Sequence, residues 1–579
     1  MTRSTGTTVE NGLIQGLITE ATGVNFPEKA VAECWNVRFQ KTGDITRRLG
    51  YSYENGVTAI PGAGAEVGVC KSFIWKAVGS DGTRSFLVIQ SGSVISFYEA
   101  DTNGTFSGGV KPFAISLNSY KTIVAGVKVA DAEAGIAAGN GKLFINHPYC
   151  EPIYVTYVST TDSITVTPYT LRIRDTDGVE DGLEPGARPN SLTGLHKYNL
   201  YNQGWDQGKV NGPHDSRGYP LNIWHDILGV YPSNGDIWWS AKGVNHDGEE
   251  GLFTNGVTWI SKSTGFAPKG HYIYNAFSMD RSAASNIPGL PPKSSEGFRP
   301  SAVAFYAGRV FYAGVPHPSY QGKVYYTQIV EGDSNIGRCY QRNDPTSEQL
   351  SDLLDTDGGE VKVTGMGRVA FMLEGGNSLY LFANNGIWAI GGSGAEGTGF
   401  TSTDFSVKKI SSIGTEASSS FVNVEGTPVW WNYDGIWTLG EGGAQSLTND
   451  TIKKFIQETI PGVSRKYVQG AFNPLQQTVQ WLWKSTAPTS IADAYRYDRI
   501  LEFNILTKAF YPHSWNVSDQ AFSTIFCATD ITATDIAAET VTTSLSAAVT
   551  NSSSVNVTAN VITNIEYTSS EFKYFATNL

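Results

Sequence analysis

The chain has 579 residues, and its 54 Asp and Glu against 42 Lys and Arg leave a net charge of −12. That balance excludes a grip on nucleic acid through phosphate contacts, which needs Lys and Arg to replace counterions, but not a surface that DNA passes without sticking. With 12% aromatic residues, 63 Gly, 24 Pro, only 4 Met and 17% charged residues, composition excludes a coiled coil or long helical array and predicts a turn-dense, mainly β protein.

Taken in chain order, the polar start MTRSTGTTVENG lacks the apolar stretch of a secretory signal. Residues 32–39 have strand character, and Lys41-Thr-Gly-Asp44 reads as a hairpin turn into ITRRLGY. KSFIWKAV and SFLVIQSGSVISFYEA form two further runs, split at Ser80-Asp-Gly82. KLFINHP, EPIYVTYV and SITVTPYTLRIR continue the alternation as antiparallel hairpins.

From Leu171 to Trp239 the β rhythm breaks into polar turns punctuated by Trp205, Trp224, Trp238 and Trp239. A loop this long inside an ordered domain is usually functional or architectural. Within it, Ile223, Ile227, Leu228 and Tyr231 share the spacing of a short helix that Pro232 ends. Strand signals resume with PSAVAFYAGRVFYAGV and KVYYTQIV.

Further on, SLYLFANNGIWAIGG and TPVWWNYDGIWTLGE echo each other, and Gly435 lies 49 residues after Gly386. Each is an Asn/Asp-Gly hairpin at a spacing suited to propeller blades, with an irregular β sandwich as the competing architecture. TIKKFIQETI reads as an amphipathic helix, followed by the strand pairs QGAFNPLQQTVQWLW and RYDRILEFNILTKAFYPHSW. Between 531 and 568 Thr, Ser, Ala, Val and Asn dominate, with enough β-branched alternation to form strands.

The chemistry-bearing motifs are weak. Gly392-Ser-Gly394-Ala-Glu-Gly397 has the GxGxxG spacing, but strand-like TGFTSTDFSV follows where a dinucleotide site needs a helix. Gly204-Trp-Asp-Gln-Gly208-Lys209 is too short for a phosphate loop, and Val210 replaces the magnesium-binding Ser/Thr. Asp175, Asp177 and Asp181, with Glu180 and Glu184, are the densest carboxylates and the one candidate for a structural ion, yet they lack the EF-hand pattern. A solvated turn or interface patch accounts for them better, and the same holds for Asp355-Thr-Asp-Gly-Gly359.

Eight scattered histidines (147, 196, 214, 225, 246, 271, 317 and 513) form no HExxH, and no GxSxG elbow marks a nucleophile. Arg47-Arg48, Arg172/Arg174, Arg281, Arg299 and Arg309 form no basic stripe. The cysteines at 34, 70, 150, 339 and 527 are odd in number and dispersed, which predicts reduced thiols in a protein folded in a cytoplasm. The expectation is a non-enzyme with no catalytic, cofactor-binding or metal residues.

In order along residues 20–330, GVNFPEKAVAECWNVRFQKTGDITRRLGY, GKLFINHPYCEPIYVTY, LRIRDTDGVEDG, NLYNQGW, YPSNGDIWW and GFRPSAVAFYAGRVFYAGV resemble the tail nozzle proteins of short-tailed bacteriophages (podoviruses), the tail tubular protein B family. Looser, propeller-like agreement continues to about 515. The resemblance implies a mainly β ring subunit with an antiparallel β platform, a propeller-like β domain and a few short helices. It divides the chain into an N-terminal arm and first platform hairpin (1–60), an antiparallel β region (61–170), the loop-rich aromatic region (171–345), a propeller-like domain (346–515) and a Ser/Thr-rich C-terminal β or interface segment (516–579).

It further implies a homohexamer in the virion tail, assembled in the host cytoplasm, below the head-to-tail adaptor. Tail fibres would attach near its upper rim, the host envelope would meet its distal end, and genomic double-stranded DNA would pass through the lumen. Other expectations compatible with composition are a host-surface glycan-binding or depolymerising tail protein, since 14 Trp offer stacking surfaces, and a purely cementing virion protein.

Overall fold

The computed structural model describes residues 13–21, 24–40, 45–48, 50–53, 68–78, 84–99, 113–121, 126–169, 171–174, 237–244, 250–254, 258–261, 273–275, 298–339, 353–393, 399–415, 417–440, 442–514, 523–527, 543–550, 556–563 and 569–575. The protein is mainly β, 49% strand and 10% helix, with six small antiparallel sheets arranged as a six-bladed β-propeller. The propeller alternative, not the irregular sandwich, is therefore the architecture. In chain order the first strands of the blades are Cys70–Val78, Gly135–Gly139, Ala302–Tyr306, Val369–Gly375, Val422–Val424 and Gln469–Asn473, and each opens a four-stranded sheet.

The chain divides into two compact units, one of residues 1–115 with 416–579, the other of residues 116–415. The second unit holds the second, third and fourth blades. The third blade shows why these sequences form such sheets. Alternate residues of Arg309–Ala313 and Lys323–Tyr326 point to opposite faces. Phe311 and Tyr326 pack with Leu379, Leu381 and Trp388 of the fourth blade. Tyr312 and Tyr325 pack with Phe144 and Tyr154 of the second.

Tight turns set the register. Asn140-Gly141, Ala307-Gly308 and Glu425-Gly426 all adopt positive φ at both positions. This is the two-residue hairpin geometry whose twist matches that of the strands, and it joins the first two strands of the second, third and fifth blades. Close packing of first strands adds a second constraint, because a Cβ at Gly135 would collide with the Ser301 carbonyl.

The first unit holds the first, fifth and sixth blades. The repeated hairpins anticipated at Ser378–Gly391 and Thr427–Gly440 are the middle strands of the fourth and fifth blades. The run SFLVIQSGSVISFYEA, read as one segment, folds as two strands, Arg84–Ser91 and Val94–Glu99, because Gly92 turns the chain with φ of 56°.

In the sixth blade, Trp481, Trp483, Leu501 and Phe503 face the fifth blade and meet Trp431 and Ile436. The Trp431 and Trp481 rings meet edge to face at 6.1 Å, and the Trp481 indole N–H donates to Ser420 O at 2.9 Å. On the opposite face Leu482 and Ile500 pack with Leu87, Ile89 and Tyr98 of the first blade. The rest of that face is covered by the N-terminal arm, where Phe39 packs on Ala509 and Tyr511.

The expected helix lies at Lys453–Thr459 and buries Phe455 and Ile456. No side chain of its own caps its start. The arm supplies the missing acceptors: the Lys454 N–H donates to the Glu20 carboxylate, and the Phe455 N–H to Thr19 Oγ1 at 3.3 Å. The C-terminal zone does form strands, with Thr543–Thr550 antiparallel to Asn556–Thr563. Ser569–Phe575 lies between Thr524–Cys527 and the early strand Gly50–Tyr53. The short helix anticipated around Ile223–Tyr231 lies outside the described residues.

Emptying the seam between the fifth and sixth blades should be costly. Trp481→Ala is expected to destabilise the first unit by about 3–5 kcal/mol. Leu506→Ala, at a side chain 71% exposed, should stay within about 0.5 kcal/mol. Urea midpoints measured by tryptophan fluorescence, with circular dichroism as a second probe, check both.

Candidate functional site

Glu502 occupies a position that the strand pattern reserves for an apolar side chain. In Arg499–Asn504 it faces inward beside Ile500, and it is 0% exposed. Pairing sets Gln480 on one side of it and Tyr511 on the other, while His513 sits one row away opposite Ile500. From the arm, strand Val37–Phe39 is held in register by pairing with Ile45–Arg47, as the expected hairpin requires, and delivers Arg38 onto the same carboxylate.

Three side chains converge on Glu502 Oε2. Arg38 Nη2 donates at 2.5 Å and Gln480 Nε2 at 2.6 Å, while His513 Nε2 stands at 3.3 Å. Arg38 also reaches Gln476 Oε1 at 3.4 Å. The second carboxylate oxygen, Glu502 Oε1, has no partner, and neither do Arg38 Nε, Gln480 Oε1 and His513 Nδ1.

Around the ion pair further hydrogen bonds and ring contacts surround the arm. Asn36 Nδ2 donates to Ser514 Oγ at 2.8 Å, Tyr511 OH donates to Phe39 O at 3.2 Å, and Arg48 Nε donates to Asn36 Oδ1 at 3.0 Å. Trp35 stacks obliquely on Phe455 at 6.0 Å and lies under the Arg499 guanidinium.

The electrostatics follow from burial against charge. Burial alone would raise the Glu502 carboxyl, but the Arg38 charge, with help from His513, outweighs it and holds the group down at about 2. Burial pushes His513 below its ordinary 6.5; its bond to Glu502 opposes this, and the Arg38 and Arg48 charges reinforce it. The cluster at neutral pH is thus Arg38⁺, Glu502⁻ and a neutral His513. Sealed from solvent, it is built to hold an arm and not to exchange protons with a substrate.

Elsewhere the anticipated residues take structural roles. Arg309, 1% exposed, clamps the Asp355–Gly359 turn by donating to the carbonyls of Asp355 and Asp357 and lies over the Phe400 ring. Arg299 makes a two-point pair with Glu151, at 3.2 Å and 2.5 Å. His147 accepts the Tyr149 N–H at Nδ1 and donates from Nε2 to Val129 O and Ala132 O, and burial holds it neutral down to about 4.

Burial raises the Cys34 thiol to about 11 and those of Cys70 and Cys150 to about 12, so none is a thiolate nucleophile. The GxGxxG segment lies between Gly386–Gly391 and Ser406–Ser411, two paired antiparallel strands, and among the described residues no helix adjoins it.

Asp175, Asp177, Asp181, Trp205, Trp224, the Gly204–Lys209 loop, Arg281 and His196, His214, His225, His246 and His271 lie outside the described residues. Trp238, Trp239, Arg172 and Arg174 fall in described strands. Among the described residues no group of three or more His, Cys, Asp or Glu could hold a metal, and no helix is long and apolar enough to cross a membrane. A scan against protein-family models finds no match to this chain, and a search of curated proteins finds none.

Removing one partner of a buried pair strands the other charge. Arg38→Met is expected to cost the first unit about 3–5 kcal/mol, and Arg38→Met with Glu502→Gln should cost less than the single change. Both Glu502 and His513 bind protons more weakly folded than unfolded, so their contribution is complete above the unfolded values. It should decline below pH 6.5 through His513, then more steeply below 4.5 as Glu502 moves towards its folded value of about 2. Urea unfolding at pH 7.5, 5.5 and 4 tests the order.

Proposed function

We propose that the chain is a structural subunit of a short-tailed phage tail, a nozzle protomer that assembles as a homohexameric ring and conducts the genome during ejection. The carrying observation is the ordered series of segments over residues 20–330 that resembles tail nozzle proteins. The propeller is the fold that this resemblance leads one to expect. A head-to-tail cyclic interface closes a ring without internal symmetry in the chain, and the adaptor and fibres would bind its rim.

The physical role is passage without adhesion. B-DNA carries one charge per about 1.7 Å of axis, so a basic lumen would bind it and slow its exit. A chain of net charge −12 suits a bore lined by acidic or neutral side chains.

The glycan-binding alternative loses its best support among the described tryptophan side chains. Trp75, Trp388, Trp430, Trp431, Trp481 and Trp483 are buried. Trp35 packs on Phe455, and Trp437 donates to Asp434. Trp35 and Trp437 are half-buried, so among the described tryptophan side chains most are taken up in packing.

Native mass spectrometry and electron microscopy of the purified protein with its tail partners test the proposal. The expected result is a six-fold ring with a continuous lumen not dominated by Lys and Arg. A persistent monomer that releases oligosaccharides from host polysaccharide, or a lumen lined with Lys and Arg, would overturn it.

A further inference from the structure

We propose that the N-terminal arm, described over residues 13–21, 24–40 and 45–48, is an acid-releasable strap: the Glu502 cluster holds it on the sixth blade while His513 is neutral and lets it go when His513 takes a proton at Nδ1. Arg38 and Arg48 belong to the arm; Glu502 and His513 belong to the blade. With His513 neutral, the arm brings the Arg38 cation to a blade carboxylate, with Arg48 held beside it through Asn36. With His513 protonated, a second cation shares that carboxylate at 3.3 Å, and its repulsion of Arg38 and Arg48 falls directly on the arm–blade contact.

The vacant Nδ1 atom makes His513 the group that can respond. His147, with both ring nitrogens occupied by backbone partners, cannot take a proton without breaking a bond. Glu502 remains ionised in mild acid because Arg38 stabilises its charge.

The other groups packed around the cluster do not titrate in this range. Tyr511, on the same face as Glu502, is raised by burial. Cys34, on the arm, and Cys70 and Tyr98, from the first blade, are raised likewise. Arg499 lies on the opposite face, over the Trp35 ring.

What remains when the ion pair weakens carries no charge from Arg38: Leu17 in the core of the fifth and sixth blades, Phe39 on Ala509 and Tyr511, Trp35 on Phe455, the Asn36 bonds to Pro512 and Ser514, and the Thr19–Glu20 cap on the helix. No proton has to enter the closed site. His513 regains ordinary basicity whenever the arm lifts, so protons accumulate on the open state and shift the equilibrium by linkage.

The inference uses neither a ring nor a tail, so it stands or falls separately from the proposed function. Hydrogen exchange of the full chain at pH 7.5 and 5.5, corrected for intrinsic rates, provides the test. A histidine with an ordinary value of 6.5 when exposed and unprotonated when docked multiplies the opening equilibrium about tenfold at pH 5.5. Peptides within 13–40 should therefore lose about tenfold protection, while fourth-blade peptides 378–391, in the second unit, stay unchanged.

In His513→Asn the arm should remain protected at both pH values. In Arg38→Met it should be open at both, with the fourth blade still protected. If His513→Asn exposes the fourth blade as well, His513→Gln replaces it with the same expectation. Equal arm protection of the wild type at the two pH values, or the same loss in the His513 variant, would overturn the proposal.

Discussion

A four-stranded sheet with aromatic side chains on both faces has to be covered on both, and that constraint organises this protein. In the second unit the third blade lies between its neighbours, with Phe311 and Tyr326 on one face and Tyr312 and Tyr325 on the other. In the first unit the sixth blade has the same need but a different solution. The fifth blade covers its Trp481 and Trp483 face. The opposite face is shared, part of it by the first blade and part by the N-terminal arm. The arm is thus a piece of sheet packing supplied by a segment far away in sequence.

That division of labour explains why a charge sits in the interior. An arm held only by Phe39 and Trp35 could slide along an apolar face, because hydrophobic contact is not directional. Glu502 gives the face one place where Arg38 fits, and Gln480 and His513 fix the carboxylate that receives it. Such pairs stabilise little relative to well-packed apolar side chains, and their best-attested use is to set register. The helix Lys453–Thr459 repeats the logic on a smaller scale, because it leaves its first N–H groups to be capped by Thr19 and Glu20. Two partnerships therefore define where the arm lies, each completing something the blades leave unfinished.

How far the sequence announced this varies with distance along the chain. The fourth and fifth blades were legible because Asn385-Gly386 and Asp434-Gly435 mark two matching hairpins within one stretch. The earlier blades carry an equally regular signal, the two-residue turns at Asn140-Gly141 and Ala307-Gly308. These lie too far apart to read as a repeat, since a long intervening segment separates the second blade from the third. The arm's hairpin was local and was read; its docking partner, more than 400 residues away, was not. A signal did exist: Glu502 and His513 stand at inward positions of otherwise apolar strands. Alternation identifies them as buried polar groups in need of partners, but nothing local says that one partner is Arg38.

A propeller is a scaffold that hosts many activities, so the fold alone assigns none. The polar groups that sequence reading would have offered to chemistry are consumed in architecture. Arg309 is spent on a turn, His147 on backbone atoms, Arg299 on Glu151, and Glu502 and His513 on the arm. Of these contacts the Arg38–Glu502 pair reaches farthest along the chain, joining residues 464 positions apart.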